Sequence, residues 1–394
     1  MLFQTLDDKT ECIGVYTDGK LFFESLPDDL THTWKITTID TAKEVQSAWI
    51  YSGGKSLQDA APQNLLEKLD SSTRKLRAYL KAFELAKINL REHCFFDLVP
   101  QDFLKKYCET KNEISAHVFE KYPKPDNYEH LLSVHSLLQK IKSQKLITDV
   151  SDCKNLFLTS AHRKMMSSLL SDDSYIDYNL FGTVTGRLTT MPDSFPILTL
   201  KKEFRKIIKP HNEWFVSFDY NGAEVRTLLS LTGEEQPNID IHDWNSLNLF
   251  EQEVSRDECK TRFFAWLYDP ASDAISTELY SKEKALAKWY DGEYITTPFN
   301  RKIKVEQRKA LNYLIQSTTS DLVLDRATVI DKFLKDKKSF ISHIVHDEIV
   351  IDLADDEREI LADIKSIFSS NKLAQYMVNL RCGKNYLDLK ELNV

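Results

Sequence analysis

Glycine and proline are scarce, at 10 and 11 of 394 residues, which leaves little room for long flexible linkers or low-complexity tracts. No stretch approaches 18 consecutive apolar residues, so a membrane-spanning helix is not expected and neither is a membrane partner. The opening MLFQTLDDKTE is acidic and has no apolar core, so neither a secretory signal nor a transit peptide is expected and the location is read as intracellular. The cysteines Cys12, Cys94, Cys108, Cys153, Cys259 and Cys382 form no C-x-x-C pair; their scatter predicts reduced thiols without a metal cluster or a disulfide framework. Excess positive charge is also missing, with 52 Lys and Arg against 60 Asp and Glu and a net charge of −8. That balance argues against coating nucleic acid through overall charge, but it permits a local basic groove, because a partner feels the nearby field.

What is present is ordinary globular composition, 42% hydrophobic and 28% charged, in a chain long enough for two or three domains. The cations cluster: KKEFRKIIK (201–209) and RKIKVEQRK (301–309) carry five each. Near the start, ECIGVYTDGKLFFESL places Asp18-Gly19 between two alternating runs, which predicts a hairpin. A strand is expected over Ala48–Tyr51, before the turn at Gly53-Gly54. Leu65, Leu69, Leu76, Leu80, Phe83 and Leu85 recur at helical spacing within a helical segment over 63–94, and further helices are expected over 100–119 and 128–144. In the second half, WFVSFDY (214–220) is a short apolar run ending in an acid. A long helix follows over 303–330, then a hairpin in FISHIVHDEIVIDL and a helix over 355–368.

Two carboxylate sites stand out, Asp219 at the end of WFVSFD and Asp347-Glu348 inside ISHIVHDEIVIDL. An acid that interrupts an apolar strand is costly unless a positive group compensates it, and a pair of divalent ions does so in phosphoryl displacement. Taken singly, either site reads more simply as an edge-strand acid facing water. The sequence SRDECKTRFFAWLYDP adds Arg256, Lys260, Phe264 and Tyr268 at successive i+4 positions, which puts them along one winding stripe of a helix. Two cations followed by two aromatics suit triphosphate oxygens and a stacked base.

With these motifs in place the chain resembles the family A DNA polymerases, the group containing bacterial DNA polymerase I and related phage enzymes. FDYNGAEVR (218–226) resembles motif A, the R-x3-K-x3-F-x3-Y stripe motif B, and IVHDE (344–348) motif C. TVTGRLTT (183–190) resembles the segment preceding motif A, RKALNYLIQSTTSD (308–321) the R-x3-N-x3-Q-G-T-x2-D helix, and IDIH (239–242) also matches. The elements occur in family order over about 180–394.

The resemblance implies an α+β right hand of palm, fingers and thumb with a small amino-terminal α/β module. Its boundaries are read as 1–99 for the module, 100–175 thumb, 176–237 first part of the palm, 238–293 fingers and 294–394 second part of the palm. It implies a DNA-directed DNA polymerase using two Mg²⁺ ions, with Mn²⁺ as an alternative, held by Asp219, Asp347 and the backbone of Tyr220, with Glu348 as a supporting acid. Glu224 corresponds to the gate against a ribose 2′-OH. Arg256 and Lys260 bind the phosphates, with Lys260 also a proton donor to pyrophosphate; Phe264 stacks by the incoming nucleotide, and Tyr268 occupies the template-base position until closure. Arg187, Arg308, Asn312, Gln316 and His346 map to readers of the primer's minor-groove side. Independently of the resemblance, the basic runs at 201–209, with Lys201, Lys202 and Arg205, and at 301–309 flank the motifs and are expected to contact duplex phosphates. The implied partners are primer–template DNA and dNTPs, with a replicative helicase or processivity factor as a further candidate, in the cytoplasm of a bacterial or phage-infected cell.

The sequence departs from the pattern at Gly222 and Ala223 in motif A, at Phe263, Ala265 and Asp269 in motif B, and at Ser317. None of these removes a catalytic residue, so altered fidelity or finger dynamics with retained activity is expected. No D-x-E occurs in the first 150 residues, so 3′–5′ proofreading is not expected. Three other readings are a single-subunit RNA polymerase, which Glu224 opposes, a catalytically silent DNA-binding subunit, which the retained acids oppose, and a nuclease, in which the fingers stripe has no purpose.

Overall fold

The computed structural model describes residues 1–7, 13–37, 39, 44–151, 153, 157–170, 174–250, 254–269, 271–275, 277 and 279–393. Among these, no helix is long and apolar enough to cross a membrane. The chain divides into two compact units, Met1–Ser143 and Gln144–Val394, and the division falls inside the segment expected as a thumb.

In the first unit β1 (Leu2–Thr5), β2 (Gly14–Thr17) and β3 (Lys20–Phe23) form an antiparallel meander. The short β4 (His32–Thr33) and β5 (Gln46–Ser47) add parallel to β1, giving the order β3-β2-β1-β4-β5. The expected hairpin is there: Asp18 and Gly19 turn with φ of 47° and 75°, as a two-residue turn matched to strand twist requires.

Ala48–Tyr51 is a one-turn helix, α1, and not the expected strand. Its four apolar residues are too few for periodicity to decide, and burial of Ala48 and Ile50 is satisfied equally well by a helical turn. After α2 (Leu57–Ala60), α3 (Gln63–Leu85) stops short of the expected 94. Then come α4 (Phe95–Leu98), α5 (Gln101–Lys121) and α6 (Tyr128–Ser143). Leu65 and Leu69 of α3 pack with Trp34, Ala48, Ile114 and Val118, and the fully buried Gln4 donates to Asn112 Oδ1 at 2.6 Å, tying β1 to α5.

The expectation of reduced thiols fails at Cys94, which is disulfide-bonded, while Cys108, Cys259 and Cys382 are free thiols. A disulfide needs Cα atoms within about 4.4–6.8 Å in space and no particular spacing in sequence, so scatter was not evidence against one.

The second unit opens with β6 (Ile147–Thr148), α7 (Ser160–Leu169), and a small hairpin of β7 (Tyr178–Asn179) and β8 (Thr189–Thr190). A 3-10 turn over Lys202–Ile207 leads to β9 (Ile208–Lys209), which pairs with β6. The main sheet contains β10 (Trp214–Tyr220), β13 (Phe340–Val345), β14 (Glu348–Leu353), β15 (Val378–Gly383) and β16 (Lys390–Glu391). It is antiparallel throughout, in the order β13-β14-β10-β15-β16. Central β10 is flanked by β14 and β15, and Phe215 through Phe218 are all fully buried within it.

Val216, Phe218 and Tyr220 share one face of β10, where Tyr220 stacks on Phe368 of α13 (Leu361–Ser369) with ring centroids 4.0 Å apart. Phe215, Ser217 and Asp219 share the other. The helices that complete the unit are α8 (Ala223–Thr232), α9 (Ile241–Leu249), α10 (Arg256–Tyr268), α11 (Lys282–Trp289) and the long α12 (Gln307–Phe333). With the ribbon β11 (Tyr294–Thr296) and β12 (Lys302–Lys304) they surround one core that includes Val225, Leu229, Ile241, Phe263, Trp266 and Leu314.

Candidate functional site

The two acidic motifs meet because β14 and β10 are neighbours in register: Asp219 pairs with Glu348, and Asp347 lies in the two-residue turn between β13 and β14. The turn is tight enough to hold His346 at φ 56°, a conformation that side-chain-bearing residues rarely adopt. Asp219 is largely desolvated, and burial, followed by the charges of Asp347 and Glu348, raises its pKa to about 7. Burial raises the pKa of Asp347 as well.

The two acids border a cleft of about 400 Å³ that is also lined by Tyr220, Glu224, Arg256, Lys260, Phe264, Arg187, Gln316 and His346. These cleft-lining residues come from the hairpin β7–β8, the first turn of α8, the helix α10, the middle of α12 and the β13–β14 turn. Three residues of the i+4 stripe, Arg256, Lys260 and Phe264, line the cleft with the acids, whereas Tyr268 lies outside its lining and stacks parallel to Phe264 at 5.9 Å.

Glu348 differs from its two neighbours. Only 6% of its surface is exposed, and its oxygens accept from Ser217 Oγ and, at 2.8 Å, from Tyr386 Oη, with Arg381 Nη2 at 3.8 Å. It is committed to the wall behind the cleft. Tyr268 Oη donates to Glu224, which also pairs with Arg187 through its other oxygen. Arg308 and Asn312 line a separate groove with Tyr268, where Arg308 pairs with Glu306 at 2.7 Å. Lys201 and Lys202 are exposed and lie away from the cleft, whereas Arg205 sits over the Tyr386 ring at 4.8 Å.

The departures from the family pattern have structural places. Gly222 adopts φ +64° at the start of α8, and a Cβ there would come within 2.3 Å of Ile241 Cγ2, so the loop admits no side chain. Phe263 is fully buried against Trp266 and Tyr280, so it packs the core and does not reach the cleft. Ser317 is fully buried with its hydroxyl unpartnered; Ala265 and Asp269 are exposed.

Several residues without an assigned role in the sequence reading prove central. Asp240 caps α9 by accepting from the amides of His242 (2.9 Å) and Asp243 (3.1 Å). It also accepts from Asn221 at 2.6 Å and from Arg256 at 2.7 and 3.2 Å. Burial works against its charge, but the hydrogen bonds from Arg256, Asn221 and the two amides outweigh it and hold the carboxyl far below the usual range. His242 is 2% exposed and lines the cleft, with Nδ1 unpartnered and a pKa pushed down by burial to about 4, so its imidazole is neutral. Arg226, completely buried, binds the carbonyls of Asn221, Pro237 and Ile239, which fixes the approach to Asp240. Lys282 Nζ donates to the carbonyls of Trp266, Asp269 and Ser272 and so secures the end of α10 beside Tyr268. IDIH was the available signal for Asp240 and His242, and the end of FDYNGAEVR for Arg226; Lys282 has none short of the fold.

Among the described residues, no three His, Cys, Asp or Glu side chains converge as a protein-built metal cage. Two desolvated carboxylates whose pKa values are raised still form a donor set suited to a hard divalent ion. Mg²⁺ usually takes only one or two carboxylates, with substrate phosphate and water completing its shell.

No protein-family model matches the chain. It is 24% identical to DNA polymerase I of Chloroflexus aurantiacus over 55% of this chain and 29% of that protein. It is 22% identical to DNA polymerase I of Caldicellulosiruptor bescii over 53% of this chain and 31% of that one. Against the thermostable DNA polymerase I of Thermus filiformis it is 25% identical, covering 46% and 28%. The chain thus spans less than a third of the length of the curated relatives it matches. A solved structure, the POL domain of Pol1 from M. smegmatis in complex with DNA primer-template and dNTP, matches at 15% identity with a TM-score of 0.45, over 82% of this chain and 66% of that one.

Proposed function

We propose that this chain is a DNA-directed DNA polymerase, adding dNTPs to a primer 3′ end. The observation that carries the reading is the convergence, in one cleft, of two half-buried acids, Asp219 and Asp347, with Arg256, Lys260 and Phe264 and with Glu224. The curated relatives are named DNA polymerase I, which supports it.

Asp219, Asp347 and the backbone of Tyr220 would hold two divalent ions, Mg²⁺ foremost, which supply charge stabilisation at the phosphate and lower the pKa of the attacking 3′-OH. Arg256 and Lys260 bind the triphosphate, and His242, neutral and with Nδ1 free, offers a further polar contact beside them. Lys260 is exposed toward the cleft and gives its proton to the departing pyrophosphate. Phe264 stacks on the incoming base. Glu224 occupies the ribose side and excludes a 2′-OH. Arg187, Gln316 and His346 within the cleft, and Arg308 and Asn312 in the separate groove that Tyr268 lines, contact the primer–template; Lys201, Lys202 and Arg205 add phosphate contacts on the flank. Such binding weakens steeply with salt.

The described part of the first unit does not supply the acids of a proofreading site on its first strand, where β1 reads Leu2-Phe3-Gln4-Thr5, so the activity is proposed without 3′–5′ proofreading. Primer extension with Mg²⁺ tests the reading directly. Extension with dNTPs only, abolished in Asp347→Ala, is expected. Extension with rNTPs would shift the assignment to an RNA polymerase, and tight primer–template binding without extension to a silent DNA-binding subunit.

A further inference from the structure

Asp321 lies inside α12 with none of its side chain exposed, and Arg301, just before β12, is its partner. The pair is bidentate, with Nε to Oδ2 at 2.8 Å and Nη2 to Oδ1 at 2.7 Å, which fixes the plane of the guanidinium. Gly186, the residue before Arg187, lies against that plane. A Cβ at Gly186 would sit 2.5 Å from Arg301 Cζ and Nη2, and Gly186 has φ +75°, so only glycine permits the contact. Ser320, next to Asp321, donates to Gly186 O at 2.9 Å. One turn of α12 therefore holds both the guanidinium plate and the loop that rests on it. Thr183 Oγ1 closes the loop from its other side by donating to Arg187 O at 2.9 Å.

The loop is anchored at its base as well, because Tyr178 donates to Ile344 O at 2.6 Å and accepts from Ile344 N at 3.0 Å. With base and plate fixed, Arg187 is aimed at Glu224, whose other oxygen accepts from Tyr268. Arg301 itself does not line the cleft.

We propose that Arg301, held flat by Asp321, is the positioning residue that aims Arg187 at Glu224 and thereby sets how strictly the cleft discriminates the sugar of an incoming nucleotide. The sugar consequence rests on the polymerase reading; the positioning does not. Lysine at 301 supplies a charge for Asp321 but no plate for Gly186. An apolar pair, Arg301→Met with Asp321→Leu, removes both charges together and spares the core an unpaired one.

Both variants are to be compared with the unsubstituted chain by hydrogen–deuterium exchange, thermal melting and steady-state extension with dNTPs and rNTPs. Amides over 183–188 are expected to exchange at least tenfold faster in both variants, with α12 protection and the melting temperature near the original values. The ratio of kcat/KM for dNTP over rNTP is expected to fall about tenfold, carried by a lower KM for rNTP, with kcat for dNTP within about threefold. Unchanged exchange over 183–188 in a folded variant overturns the positioning role. Faster exchange with an unchanged sugar ratio overturns the link to discrimination. If the unsubstituted chain extends no primer, the polymerase reading fails and takes the sugar consequence with it, while the exchange comparison still decides the positioning.

Discussion

Asp240 accepts two hydrogen bonds from Arg256, from Nη2 at 2.7 Å and from Nε at 3.2 Å, while the same carboxylate caps the helix that carries His242. Arg256, the first residue of the i+4 stripe, is therefore already paired in the free protein. Under the proposed function, an incoming triphosphate would have to compete with Asp240 for the guanidinium.

Asparagine at 240 keeps the helix cap but removes the charge. In Asp240→Asn, inorganic triphosphate is expected to bind about three- to tenfold more tightly, the worth of a partly exposed charge-assisted pair. Isothermal titration would show it, and equal or weaker binding in a folded variant would remove Asp240 from the competition. Arg256→Ala should lose the gain altogether.

Burial, followed by the charge of Asp347, disfavours the ionised Asp219 and makes its charge costly to the fold. Asp219→Asn is expected to be more stable than the unsubstituted chain in chelator at about pH 8, by about 1–2 kcal/mol. Added Mg²⁺ should raise the melting temperature of the unsubstituted chain and leave the variant nearly unmoved. A variant that melts lower in chelator would contradict this cost.

Gly222→Ala places a Cβ 2.3 Å from Ile241 Cγ2 at a backbone φ of +64°. The expected cost is about 2 kcal/mol, a fall of roughly 4–8 °C in the melting of the second unit. Calorimetry checks this, and an unchanged melting temperature would mean that the loop relaxes freely.

Acid should destabilise both units through buried imidazoles. Burial, aided by Lys35, pushes His135 down to about 3, although Nε2 donates to Ile36 O at 2.9 Å. Burial, aided by Arg205, does the same to His343, which also packs against Phe215 and Tyr386. An unfolded histidine titrates near 6.5, so between about pH 6.5 and 3 the unfolded chain binds protons that the folded one refuses. This stability is fully present above about pH 6.5 and is lost as the pH falls, by about 2 kcal/mol per histidine at about pH 5. Urea titrations at several pH values should show the loss, and His135→Gln should flatten it for the first unit.

The elements that line the candidate site were largely legible in the sequence. Acids that interrupt WFVSFD and ISHIVHDEIV, and a four-residue stripe at i+4 spacing, are local patterns, and each survives translation into a strand end, a hairpin turn and a helix face. Short or distant features were not legible. Ala48–Tyr51 held too few residues to reveal a period, and the bonding of Cys94 depends on proximity in space alone.

What the sequence determined by itself was the secondary structure that carries the candidate residues and their spacing along it, because helix and strand periodicity act over a few residues along the chain. Tertiary structure alone decided which charges meet. Glu348 resembles Asp347 in the sequence, yet it is held by Ser217 and Tyr386 in the sheet behind the cleft. Arg256 is paired to an acid sixteen residues away, and Arg301 to one twenty residues away. Those pairings follow from how α9 is capped and how α12 crosses the loop at Gly186, where desolvation makes each buried charge depend on one particular partner.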